Sequence, residues 1–234
     1  MYIHPPQIHT DLLIVGGGAA GYFAAIHAKT AKPAKKVLII EKSNKLLAKV
    51  AISGGGRCNV THNEPDLASI LEYYPRGRGL LKWVLRKWGV TNTIRWFERH
   101  GVSLKTEEDG RMFPVSDDSA TVVDCLLQEA QRLGVDCLKS TGLKSFEPIS
   151  PKGFRIKTDS GPDIVAKSMI LACGGFPKSS QFEFITCHGI EVIEPVPSLF
   201  TFNIPDKDLH SLMGISVPGC KVRVVGMDSG PEKG

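Results

Sequence analysis

Gly16-Gly17-Gly18-Ala19-Ala20-Gly21 lies between an apolar run and an alanine-rich stretch, and its spacing is the first sign of chemistry in the chain. In the pattern G-x-G-x-x-G each glycine has a separate task. Gly16 permits a tight turn, Gly18 leaves room for main chain to approach a pyrophosphate, and Gly21 lets a helix pack closely on a strand. Free N–H groups at the start of that helix, reinforced by its dipole, favour an anion there. Glu41 follows Gly21 by 20 residues (41 − 21) and closes a second apolar run. A carboxylate at that place accepts hydrogen bonds from ribose hydroxyls and repels a 2′-phosphate. The chemistry indicated is adenine-dinucleotide binding, and these residues alone do not separate FAD from NAD.

Three further segments bear on that choice. Lys49 to Asn59 holds Gly54-Gly55-Gly56 followed by Arg57, Cys58 and Asn59. A second glycine-rich loop so soon after the second strand would let backbone pass close to a long, flat cofactor, with Arg57 as a positive charge. Cys58 beside Arg57 has two readings, a thiol of lowered pKa or a small packing residue, and packing is favoured. Gly110 to Asp118 reads as a loop entering a helix that Asp118 or Ser119 would cap. Ile170-Leu171-Ala172-Cys173-Gly174-Gly175 reads as an apolar strand ending in small residues against a bound cofactor.

Other chemistries find less support. The histidines show no H-E-x-x-H spacing and no Cys/His cluster, and no G-x-S-x-G elbow is present. Arg76 to Arg99 interleaves Arg76, Arg78, Lys82, Arg86, Lys87, Arg95 and Arg99 with Trp83, Trp88 and Trp96. That pattern suits single-stranded RNA, but an amphipathic helix with buried tryptophans and solvated cations accounts for most of it. RNA is therefore an alternative partner and not the favoured one.

The elements that must position these residues follow from the pattern of apolar runs. Strand Asp11–Val15, helix Ala19–Thr30, loop Lys32–Lys36 and strand Val37–Ile40 make one βαβ unit of about 30 residues. Helices are expected over Gly79–His100 and Ser119–Leu133, the second closed by Gly134. Strands are expected at Val135–Leu138 and Leu143–Pro148, then a hairpin of Phe154–Thr158 with Asp163–Ala166, then a separate strand Ser168–Ala172. Past Pro195 the style turns to short, β-like pieces (Leu199–Ile204, Cys220–Val225). The fold class expected is α/β, a Rossmann-like dinucleotide-binding domain over residues 1–195, followed by a β-rich region over 196–234.

Bulk properties agree with that frame. Charged residues make up 23% and hydrophobic ones 42% of 234 residues, enough apolar material for a globular core without cross-links. A net charge of +5 suits an anionic ligand and is too small to imply nucleic acid by itself. Six cysteines without a C-x-x-C pair and a polar start, Met1 to Thr10, fit reduced thiols in a cytoplasmic protein. No apolar run of about 18 residues suggests a membrane span.

The stretches DLLIVGGGAAG, SGGGRCNVTH, GRMFPVSDDSATVV, ILACGGFPKSS and VPSLFTFNIP together resemble the BaiN-like family of FAD-dependent oxidoreductases, in the glutathione-reductase-like flavoprotein superfamily. SGGGRCN followed downstream by GRMFP is the specific part. The resemblance implies an FAD-dependent oxidoreductase acting on a small organic substrate, with NAD(P)H as a candidate electron donor and oligomeric state open. It implies that Gly16, Gly18, Ala19, Ala20 and Gly21 surround the pyrophosphate and that Glu41 binds the adenosine ribose. Lys42, Arg57, Cys58 and Asn59 would run along the cofactor toward the flavin. The strand around Leu143 would offer backbone to the adenine, and Ala172 to Gly174 would close over the adenosine half. Where many members of the superfamily carry C-x4-C, this chain has Cys58 and then Asn63, so a disulfide relay is not expected. His62 stands where the family more often has asparagine. Family members continue well past position 234 and complete a β-rich inserted domain. The resemblance therefore implies a Rossmann-like FAD-binding domain over 1–195 and the beginning of that insert over 196–234, truncated at the C-terminus. A weakly binding, non-catalytic fragment is the rival reading and RNA pyrimidine reduction another. No acid–base residue is identified.

Overall fold

The computed structural model describes residues 7–196 and, further on, 204–212, 215, 217, 219–223, 225–226 and 232–233. The chain divides into two compact units after Ile193.

The first unit is built on β1 (Ile8–Val15), α1 (Ala19–Ala31) and β2 (Val37–Ile40). β2 is buried at all four positions, as expected of a parallel strand covered on both faces. After β2 come α2 (Ala48–Gly56), β3 (Thr61–His62), α3 (Leu67–Glu72), α4 (Arg78–Lys87) and α5 (Val90–Arg99). Then follow β4 (Leu104–Thr106), β5 (Arg111–Pro114), α6 (Ser119–Arg132), β6 (Asp136–Leu138), β7 (Leu143–Pro148), β8 (Phe154–Thr158) and β9 (Ile164–Leu171). A 3-10 turn (Ser179–Phe182) and α7 (Glu183–Thr186) end it.

Six strands form one mixed sheet in the order β6-β2-β1-β9-β8-β7. The first four are parallel, and β8 and β7 add antiparallel. Alternation along β1 sends Ile14 to one face, with Ile39, Tyr22, Ile26, Phe97 and Leu126. Leu13 and Val15 go to the other, with Leu38, Ile40, Ile156 and Ile164. β3, β5 and β4 form a separate antiparallel sheet.

The register decides where a ligand can sit. Val15 pairs with Ile40 and with Leu171, and Ile40 with Leu138. Four parallel strands therefore end level, and their carboxyl ends make the crevice in which ligands of open α/β sheets bind.

The structure corrects four expectations. Gly110–Asp118 is not all loop, because Arg111–Pro114 is the middle strand of the small sheet, pairing with Thr61–His62 and Leu104–Thr106. Asp163–Ala166 and Ser168–Ala172 are one strand, β9. Its polar interruption, Lys167-Ser168, faces solvent, where Lys167 Nζ reaches Asp11 Oδ1 at 2.7 Å. The single helix Gly79–His100 is two, since the backbone leaves the helix at Trp88 and restarts after Gly89, whose N–H donates to Asn92 Oδ1 at 3.1 Å. The glycine-rich loop expected within Lys49–Asn59 begins inside α2, which turns non-helical at Ser53, Gly54 and Gly55. α6 matches its expected span, with Asp118 accepting from Ala120 N at 2.8 Å.

In the second unit, α8 (Lys207–His210) is capped by Asp206, and β10 (Lys221–Val222) pairs antiparallel with β11 (Glu232–Lys233). Of the two β-like pieces expected here, Cys220–Val225 contains β10, and Leu199–Ile204 lies outside the described residues except for Ile204.

Ile14 has no exposed surface and sits between β2 and α1 in the larger core cluster. Ile14→Ala should lower unfolding stability by about 2–5 kcal/mol, read as a lower urea midpoint with an unchanged slope.

Candidate functional site

At the end of β1 the chain turns through Gly16 with φ +116°. A Cβ there would lie 2.4 Å from the Ala172 carbonyl oxygen, and one on Gly21 would lie 1.9 Å from the Gly16 carbonyl oxygen. At Gly18 a Cβ would meet nothing within 4 Å. The turn is thus closed by protein at its first and last glycines and open at the middle one. Gly18 is the N-cap of α1, no side chain caps the helix, and its first turn contains no acid. Ala19 and Ala20 are exposed beside it. The donors at this helix end are left for water or a ligand.

Glu41 extends from the tip of β2 to this turn. Its Oε2 accepts from Gly17 N at 2.8 Å and its Oε1 from Ser43 N at 2.9 Å. Burial pushes the Glu41 carboxyl up, but the Ser43 and Gly17 N–H groups and the Lys42 cation outweigh it and hold the group below its ordinary value. An ionised carboxylate offers about four acceptor positions, so two N–H donors leave it capacity for hydroxyls.

Two cavities flank the turn. One, of about 230 Å³, is lined by Gly16, Glu41, Lys42, Thr141, Gly142, Leu143, Asp159, Cys173 and Phe176, among others. The other, of about 460 Å³, is lined by Ala19, Ala20, Lys49, Ser53, Cys58 and Asn59 over an apolar floor that includes Phe23 and Phe97. Of the residues singled out in the sequence, Gly16, Glu41, Lys42 and Leu143 meet in the first cavity and Ala19, Ala20, Cys58 and Asn59 in the second. Gly18 and Gly21 belong to the turn between β1 and α1. Ala172 adjoins Gly16, and Gly174 adjoins Lys49, whose Nζ lies 3.4 Å from where its Cβ would be.

Arg57 lines neither cavity. Its guanidinium is paired with Glu107 and Asp117 and lies over the Phe113 ring, 4.0 Å from the centroid. Asp117 also pairs with Lys105. The glycine-rich loop is thereby tied to the small sheet, and the cation beside the glycine turn is Lys49. Cys58 is buried, and burial pushes its thiol up. This is the opposite of the lowered pKa considered for it and agrees with packing.

Lys49, Thr141, Gly142, Asp159 and Phe176 were not singled out from the sequence. Only Lys49, a cation one turn before the glycine loop, carried a usable signal. Thr141 and Gly142 reach the site through backbone bonds, Thr141 N to Glu41 O at 2.8 Å and Gly142 N to Asp159 Oδ1 at 2.7 Å. Among the described residues no cluster of His, Cys, Asp or Glu is placed to hold a metal, and no helix is long and apolar enough to cross a membrane.

Strand order, level strand tips, glycine turn and acid together define a dinucleotide-binding Rossmann-type domain of the kind found in FAD-binding proteins. The family described as HI0933-like protein Rossmann domain matches residues 10–182, and the chain belongs to it, in agreement with the resemblance drawn from sequence. It is 33% identical over 162 residues to the 3-dehydro-bile acid delta(4,6)-reductase of Clostridium scindens, covering 69% of this chain and 38% of that protein. To the ribosomal RNA dihydrouridine synthase of Haemophilus influenzae it is 29% identical over 227 residues, covering 90% and 53%. A flavocytochrome c3 fumarate reductase in its open conformation shares the fold, with TM-score 0.56 and 20% identity over 76% of this chain and 36% of its own. The chain thus spans between 38% and 53% of the two curated relatives.

The sign of the Glu41 shift gives a pH prediction. Its folded-state pKa is depressed, so its contribution to stability is complete above the ordinary value of 4.5 and is lost as pH falls through the lower folded value. The stability difference between native protein and Glu41→Gln should be constant from pH 7 to about 5 and shrink below pH 4.5, measured by urea unfolding at each pH.

Proposed function

We propose that this chain is the FAD-binding portion of a flavin-dependent oxidoreductase that acts on a small organic molecule, with NAD(P)H as electron donor, in the cytoplasm. One observation carries the reading. The glycine turn is shut by protein at Gly16 and Gly21 and open at Gly18, beside an uncapped helix start and a carboxylate held in its ionised form.

On this reading the N–H groups from Gly18 to Gly21 hold the pyrophosphate, aided by the α1 dipole and by Lys49. Glu41 accepts the ribose hydroxyls through the lone pairs that Gly17 and Ser43 leave unused. Backbone at Thr141 to Leu143 faces the adenine, Lys42 and Cys173 border the same cavity, and Ala172 to Gly174 close over the adenosine half. Cys58 and Asn59 line the way toward the flavin end, while Arg57 fixes their loop. Bound flavin supplies the hydride or electron transfer. The described residues contribute binding, orientation and electrostatics. The reductase named among the relatives supports a small-molecule substrate.

A second reading has an observation of its own. α4 exposes Trp83, 61% accessible, with Lys87 Nζ 5.0 Å from its ring centroid. No acid occurs between Glu72 and Glu98. Trp88 and Trp96 turn inward as expected of an amphipathic helix, and Trp83 does not. An exposed indole among cations suits stacking on single-stranded RNA, and one relative is named for ribosomal RNA.

Purified protein titrated with FAD should quench flavin fluorescence saturably and keep visible flavin absorbance through gel filtration. Gly18→Val should weaken uptake on the order of a hundredfold by filling the open side of the turn. A colourless native protein, or full uptake by the variant, overturns the reading. For RNA, charge reversal at Arg86 and Lys87 should cut affinity for a single-stranded oligonucleotide about tenfold and flatten its salt dependence. Unchanged binding by filter assay removes that second reading.

A further inference from the structure

A third cavity, of about 570 Å³, opens between the C-terminal half of α1, the helix α5 and the end of α6. It shares Trp88 with the larger cavity beside the glycine turn, but none of the residues of the turn itself. Its size lies in the range of small-molecule sites. Its aromatic lining is His27, Trp88, Trp96 and His100. The Trp96 ring stacks on His100 with centroids 4.1 Å apart, and His27 meets Trp88 edge-on at 5.0 Å.

The charges lining it are uneven. Glu129 is the one acid among the lining residues. It is engaged by both Arg132 Nε and Nη2, at 2.7 Å each, and lies 3.5 Å from His100 Nε2. Arg95 and Arg99 stand one turn apart on α5, both exposed, and neither has an ion-pair or hydrogen-bond partner among the described residues. Like charges at i, i+4 on a helix repel. The helix dipole explains cations in the last turns, namely Lys29, Arg99 and Arg132. Lys29 is further engaged with the Pro33 and Lys35 carbonyls. Arg95, in the middle of α5, has no such explanation.

We propose that this cavity binds a planar aromatic anion, its ring against the indole and imidazole walls and its carboxylate or phosphate on Arg95 and Arg99. Guanidinium groups hold either anion through paired, charge-assisted hydrogen bonds. Flat π-faces favour a ring over an aliphatic chain of equal size. Apart from Trp88 its lining is distinct from that of the cavity beside the glycine turn, and the proposal does not depend on the dinucleotide assignment.

The chain's three tryptophans make the test local. Trp96 lines only this cavity, Trp88 lines both it and the cavity beside the glycine turn, and Trp83 lines neither, so Trp96 is the decisive signal. Indole N–H signals are followed by NMR in the full chain, with FAD present and absent, as salicylate, cytidine monophosphate or inorganic phosphate is added. Salicylate or the nucleotide should move the Trp88 and Trp96 signals saturably and leave Trp83 in place, and whichever binds more tightly tells the carboxylate source from the phosphate source. Arg95→Ala combined with Arg99→Ala should weaken that binding about tenfold or more. Both side chains are exposed and unpaired, so the fold should survive, checked by circular dichroism. The proposal is overturned if neither aromatic probe moves the two signals, if inorganic phosphate binds as tightly as they do, or if the double variant binds like the native chain.

Discussion

The closeness of Gly21 to the Gly16 carbonyl, together with the closeness of Gly16 to Ala172, is the constraint on which the rest of this structure depends. Neither contact leaves room for a methyl group. The first presses α1 onto the end of β1, and the second presses the turn onto the end of β9. A turn held on both sides can offer its donors only outward, at Gly18. Adjacent parts take their positions from the same few atoms. The Gly17 N–H fixes Glu41, and the Gly17 carbonyl accepts Leu47 N at 2.9 Å. The tip of β2 and the chain entering α2 are therefore both referenced to the residue between two glycines. An acid placed there serves the turn before it serves any ligand.

Sequence reasoning read this part of the fold well for a physical reason. β1, α1 and β2 are adjacent in the chain, β2 is wholly buried, and the turn between the first two admits only glycine at two positions. The information is local. α6 was legible for the same reason, through Asp118 at its start and Gly134 after its end. β5 was not, because Arg111–Pro114 is short and becomes a strand by pairing with Thr61–His62, some fifty residues earlier. β9 was split because Lys167 and Ser168 break an apolar run, although in three dimensions they are two exposed positions of a strand paired along its length with β1.

The site shows the same division between residue type and direction. Glu41 was legible since strand geometry leaves the residue after β2 little choice of place. Arg57 was recognisable as a cation in a glycine loop, but the sequence contains no sign of which way it points. Glu107 and Asp117 decide that from fifty and sixty residues away. Lys49, one turn before the loop, ends beside Gly174 instead. Cys58 follows the same logic, since a neighbouring arginine lowers a thiol pKa only where its charge is not already met by carboxylates and burial does not dominate.

The distribution of charge around the turn then follows from what each group already does. Arg57 is paired with Glu107 and Asp117, so in the proposed site attraction toward a pyrophosphate would rest on the α1 dipole, on unpaired backbone donors and on Lys49 and Lys42. Backbone donors are fixed in direction by the two glycine contacts and cost little further ordering when an anion arrives. A long side chain would lose rotamer freedom to do the same work. On the proposed reading Glu41 would add selection to attraction, because a carboxylate kept ionised by Gly17 and Ser43 would repel a second phosphate on the ribose while still accepting its hydroxyls. In the proposed site, attraction would come from main chain and discrimination from one anchored acid, so the two would be separable by substitution.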